Sequence, residues 1–219
     1  MIIKKNKRAN FWIRLIATLI DLLLFVIFAI SSSFFVFNYK QTDFYTENVI
    51  YKEIIYRTWL LLLILFIILE YILVPIFSNG RTFGMWICKI KIIKQENNQK
   101  LSRAIFDRQR LFAFLWIFVF LGFMLISTDA FLKAARGNKL NNAEKLVFAI
   151  PVVLSTIAIN LQLFLIITNA KVTRLGWNDK FSKTETVWKN KYEEIFEEEK
   201  NELKIYPKKR ELPKINAIN

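Results

Sequence analysis

Residues 15–37 read LIATLIDLLLFVIFAISSSFFVF, an apolar run in which Asp21 is the single charged side chain. At about 1.5 Å rise per residue, a helix of this length crosses a hydrocarbon core of about 30 Å. Lys4, Lys5, Lys7 and Arg8 precede it, as basic residues precede a secretion signal. The run is longer than a signal's apolar region, however, and no small-x-small cleavage site follows, so it reads as a retained membrane helix.

Three further stretches pass the same test. Residues 58–77 are uncharged except for Glu70, residues 111–128 are uncharged but shortest, and residues 146–168 are uncharged with Pro151 in their first turns. The expected fold is therefore an all-α membrane protein, a four-helix transmembrane bundle with a small cytoplasmic β-like element and a charged tail. The transmembrane domain covers residues 1–188 and the tail covers 189–219. Orientation follows from Lys and Arg in the flanks. Five lie before the first span and eight in residues 78–110, against two in 38–53 and four in 129–145. Both termini are expected in the cytoplasm, in a multi-pass protein of the plasma membrane.

Composition agrees. The chain is 54% hydrophobic, with 21 Phe, yet carries 32 Lys and Arg and a net charge of +14. Apolar spans with charged flanks reconcile the two. The basic residues are then expected to meet anionic lipid headgroups, and nucleic acid is not an expected partner. The absence of histidine removes the usual general base and the commonest metal ligand, and one cysteine, Cys88, cannot build a thiolate cage. No enzyme activity, metal or cofactor is expected.

The loops carry local signals. Asp129 is suited to cap a short amphipathic helix ending at Gly137, and Asn141 with Glu144 forms a capping-box pattern before the fourth span. Residues 87–92 alternate as a strand does, and residues 184–188 alternate again and can pair with them. Gly80-Arg81-Thr82-Phe83-Gly84 reads as a turn and interfacial anchor rather than a helix-dimer or phosphate-binding motif.

Polar residues inside the spans are the candidate site. An ionised carboxylate in hydrocarbon costs about 2.5–3.5 kcal/mol on insertion scales, so Asp21 must be neutralised, paired or hydrated. Arg14, seven residues earlier, shares nearly the same helix face, and Thr18 is placed to donate a hydrogen bond. Glu70, Asn160 and Gln162 lie at a similar depth, about 10 Å from the inner ends of their spans. Facing one another, these four would make a carboxylate-rich, amide-lined site for a proton or small cation. The alternative reading is that each only locks helices together.

Three segments resemble the motifs of the RDD family of small bacterial membrane proteins. Arg14-Leu15-Ile16-Ala17-Thr18-Leu19-Ile20-Asp21 is similar to its opening motif. Gly80 to Gly84, followed by Lys89 to Ile93, is similar to its middle motif, and Arg174 to Thr184 to its closing one. The resemblance makes Arg14, Asp21 and Asp179 the name-giving residues. It departs at Met85, where lysine is usual, and at Asn178, where histidine is usual. It implies transport, with sodium/proton exchange suggested for some members. Asp179 is open to two readings: a turn or helix cap, or a cytoplasmic gate paired to Arg14 or Arg108.

Two function classes follow. One is a small cation or proton exchanger in which Asp21, with Glu70, binds the ion while Arg14 competes for the carboxylate. Four helices are few for alternating access, so this version expects a homodimer. The other is a membrane scaffold or assembly partner using the basic cytoplasmic surface.

Overall fold

The computed structural model describes residues 2–95, 100–170 and 174–196. The chain opens with strand β1 (Ile2–Arg8) and enters helix α1 (Phe11–Ser33). A two-residue hairpin, β2 (Phe37–Asn38) with β3 (Asp43–Phe44), leads to α2 (Val49–Phe77), whose first amide groups are capped by the Asn48 side chain. Helix α3 (Phe83–Ile87), strand β4 (Ile90–Lys94) and helix α4 (Leu101–Met124) follow. The chain closes with α5 (Thr128–Ala135), α6 (Asn142–Thr168), α7 (Trp177–Phe181) and β5 (Thr184–Phe196).

Among the described residues, α1, α2 and α6 are each long and apolar enough to cross a membrane. The third expected span, 111–128, is divided. Its apolar residues end α4 at Met124, and Phe112–Met124 qualifies as a fourth span only together with α5, from which it is bent by 98°. The break falls where the Ser127 side chain caps α5, accepting from Ala130 N at 3.3 Å. Asp129, the expected cap, sits in the first turn instead. A protein with three or four spans and a small sheet is the observed architecture. Large apolar side chains along α1, among them Leu19, Leu23, Ile27 and Ile30, stay exposed, as a lipid-facing surface requires.

Inside the bundle, Val36, Phe44, Tyr56, Leu60, Leu63 and Leu132 form a core beside the hairpin, and Ile67, Tyr71, Ile72 and Ala113 form a second. α4 packs against α6 and α2. At the α4–α6 contact Gly122 faces Pro151, where a Cβ would lie 3.3 Å from the proline ring. α6 begins at Asn142, with the Asn141 amide donating to the Glu144 carboxylate at 2.8 Å. That early start moves Pro151 from the expected first turns into the third.

The β-like element is larger than expected. Strands order β1-β5-β4, all antiparallel, so both terminal segments meet in one sheet. β4 starts at Ile90 because residues 83–87 are helical and Lys89 turns the chain with φ 55°. The expected tail is split: residues 189–196 extend β5 along β1, and the rest lies outside the described residues. The charges that made 189–196 look unstructured are cross-strand partners, Lys4 opposite Glu194 and Lys5 opposite Glu193, with Lys7 bonded to Glu193 at 3.1 Å.

Candidate functional site

Arg14 and Asp21 share the buried face of α1, as their seven-residue spacing requires, but they serve different partners. Asp21 is 3% exposed. Its Oδ2 accepts the Thr82 hydroxyl at 2.6 Å and its Oδ1 accepts the Gly84 amide at 2.6 Å. Thr82 also caps α3, accepting Met85 N at 3.2 Å, so Asp21 ties the start of α3 to α1. Gly84 is required there: a Cβ would lie 2.1 Å from the Ala17 carbonyl oxygen. Gly80, at φ 84°, makes the turn out of α2, its amide donating to Pro75 O at 2.7 Å. Thr18, expected to donate to Asp21, donates to Arg14 O at 3.0 Å instead.

Arg14 does not compete for Asp21. Its Nη1 donates to Asp179 Oδ2 at 2.7 Å and to Asn169 Oδ1 at 2.8 Å, and its Nη2 donates to Thr186 O at 3.1 Å. Arg108 Nη1 donates to Asp179 Oδ1 and to Thr184 Oγ1 at 2.9 Å, while Nη2 donates to Thr186 Oγ1 at 3.0 Å. Asp179 is fully buried and also caps α7, accepting Gly176 N at 3.0 Å. It is thus a cap and the shared partner of both arginines. Burial alone would raise its pKa, but Arg108 and Arg14 together hold it below the ordinary carboxylate range. Two guanidinium groups and one carboxylate leave a buried excess of positive charge where α1, α4, α7 and β5 meet.

Glu70 lies in a π-helical turn of α2, residues 69–73, five residues before Pro75, which has no N–H to donate to the Tyr71 carbonyl. It is 1% exposed, and neither carboxylate oxygen has a hydrogen-bond partner. It sits within electrostatic reach of Asp21. A cavity of about 90 Å³ opens beside Asp21, lined by Asp21, Thr82, Arg108, Gln109, Gln162 and Asn178 among others; Glu70 is not one of its lining residues, although the next residue, Tyr71, is. Gln162 and Asp21 both line this cavity. Asn160 does not: it is exposed, and its side-chain amide donates to Thr156 O at 2.8 Å. Residues two apart on a helix point about 200° from each other, so only one of the two amides can face the cavity.

Sequence reasoning missed the cavity residues Gln109 and Asn169 and the π-helical turn. Pro75, a proline inside an apolar span, was the available signal for the turn. Met85 and Asn178, the two departures from the family motifs, both line this cavity, and Asn178 Oδ1 has no partner. Among the described residues no three Cys, Asp or Glu side chains converge as a metal site would need.

The RDD family model matches residues 8–183, a segment that contains Arg14, Asp21, Asp179 and every described element except β5 and all but the last residue of β1. Neither a curated protein nor a solved structure matches the chain. With its name-giving arginine and two aspartates buried in one connected site, the chain belongs to the RDD family.

Proposed function

We propose that this protein is transport-related and moves a proton or a small cation across the plasma membrane through the polar layer of Asp21, Glu70 and Gln162. The observation that carries the reading is Glu70: a carboxyl group 1% exposed, with both oxygens unpartnered, within electrostatic reach of the buried Asp21. Two acids so placed are costly to keep charged together without a counter-ion, and that cost favours taking up a proton or cation. Glu70 also sits within a π-helical turn, a feature frequent at functional sites.

In this reading the sheet end faces the cytoplasm. The Arg14–Asp179–Arg108 cluster closes the cavity on that side, with Arg108 common to both. A second copy of the chain completes the pathway, since three or four spans are few for alternating access.

The test uses purified protein in sealed vesicles with a trapped pH indicator. Wild type is expected to give ion-dependent pH change, and Glu70→Gln and the double variant Asp21→Asn/Glu70→Gln are expected to fall to the level of empty vesicles. Glu70→Gln leaves every observed hydrogen bond intact, so normal flux in a folded Glu70→Gln protein refutes the transport reading. Unchanged flux with lost partner binding on altering the basic sheet would favour the scaffold reading.

A further inference from the structure

A second cavity, of about 350 Å³, lies at the end of the bundle away from the sheet, among the end of α1, the β2–β3 hairpin, Trp59 of α2 and helix α5. Its volume falls in the range of small-ligand pockets, about 300–1,000 Å³. Aromatic rings make its walls. Phe37 stands edge-on to Trp59, with centroids 5.3 Å apart at 89°, and lies 5.7 Å from Phe131, and Tyr39 completes the lining beside them. Ile30 lines the cavity too and is 53% exposed, on the same face of α1 as Leu23 and Ile27. The cavity is thus continuous with the lipid-facing surface, and a ligand can enter it from the bilayer.

The polar groups restrict what fits. Asp43 is the charged residue of the lining, and it is bonded to Lys52 at 2.8 Å and to Arg136 at 3.1 Å. The hydrogen bonding beside the rings is one-sided. Trp59 Nε1 donates to Ser32 Oγ at 3.0 Å, and Ser33 Oγ donates to Ile30 O at 2.7 Å. Ser33 has one hydroxyl proton, so across its 2.5 Å contact with Tyr39 the tyrosine hydroxyl donates. The Tyr39 oxygen is left with acceptor lone pairs and no proton to give.

We infer that this cavity binds a neutral, membrane-soluble ring compound that carries a hydroxyl or amino donor. Flat rings suit these walls, because aromatic pairs gain from offset and edge-on contacts that a flexible acyl chain does not make. Neutrality follows from Asp43: its carboxylate is already shared by two cations, and its charge disfavours an anion in the same space. The donor follows from Tyr39, whose oxygen can only accept. The site is independent of Asp21 and Glu70.

The probe is aminoanthracene, a flat neutral amine, set against anthracene, which has the rings without the donor. The full chain is placed in lipid nanodiscs and photolabelled with azidoanthracene, with either compound as competitor, and the labelled residues are mapped by peptide mass spectrometry. Wild type should be labelled at Tyr39, Trp59 and Phe131, and aminoanthracene should compete. Ala29→Phe fills the cavity and should abolish the competed labelling with the thermal midpoint unchanged. Ala135→Phe, which fills it from α5, should do the same and stands in if the first variant does not fold. Tyr39→Phe should weaken aminoanthracene about fivefold, the worth of one neutral hydrogen bond, and leave anthracene unchanged. Label spread evenly along Leu19, Leu23 and Ile27, or competed labelling that survives both fillings, overturns the site. Equal losses of the two competitors in Tyr39→Phe overturn the donor assignment.

Discussion

Replacing Asp179 with asparagine is expected to destabilise the protein by about 3–5 kcal/mol, the range for removing one member of a buried ion pair. The cause is what stays behind. Arg14 and Arg108, 6% and 7% exposed, would keep their positive charges while losing the carboxylate that, among the described residues, both contact. Asparagine can still accept the Gly176 amide, so a lost helix cap contributes little. Thermal unfolding in detergent measures the effect, and a double-variant cycle assigns it: Arg108→Gln combined with Asp179→Asn should cost less than the two separate changes added together. Additive costs would mean that the cluster is not electrostatically coupled. The pH dependence has a definite sign. A carboxyl whose pKa is lowered on folding gives its full stabilisation above the unfolded value, about 3.9, and loses it as pH falls through the lower folded value. Asp179 therefore makes stability insensitive to pH across the neutral range and contributes to unfolding only in strong acid.

Gly84→Ala is the second large effect. The new methyl would lie 2.1 Å from the Ala17 carbonyl oxygen and 2.9 Å from Asp21 Oδ1, and the first of these is backbone, which cannot rotate away. α3 must move off α1. Overpacking of this kind costs about 1–3 kcal/mol. The displaced amide also leaves Asp21, forfeiting a hydrogen bond to a charged group worth about 1.5–3 kcal/mol. Thermal midpoint and ion flux should fall together. Gly137→Ala is the control: it has nothing within 4 Å of the added Cβ, so only its φ of 74° opposes the change, at about 1–2 kcal/mol. Equal losses at the two glycines would show that the α1–α3 contact is not tight.

How far this site was legible depends on which coordinate of a helix the sequence reports. Depth along the membrane normal follows from counting residues, and Asp21 and Gln162, expected at one depth, line one cavity, while Glu70 stands outside its lining. Rotation about each axis depends on tertiary packing, and so Asn160, at the same depth, faces away. The second carboxylate of the name-giving set shows a different limit. Asp179 lies in a polar stretch far along the chain, and its cap and its arginine pairs coexist because Oδ2 accepts both Gly176 N and Arg14 while Oδ1 accepts Arg108. The terminal strands were hidden for a third reason. Lys4, Lys5 and Lys7 resemble topological charges and Glu193 and Glu194 resemble a solvated tail until each is placed opposite the other.

The pairing of β1 with β5 also dictates an order of assembly. A ribosome releases the amino-terminal strand long before its partner, so Ile2–Arg8 must wait through the synthesis of every described helix before finding Thr184–Phe196. Arg14 and Arg108 wait with it, because Asp179, Thr184 and Thr186 emerge with the same late segment. A nascent chain interrupted before that point keeps the two guanidinium groups at the bundle's end without the Asp179 carboxylate that both contact.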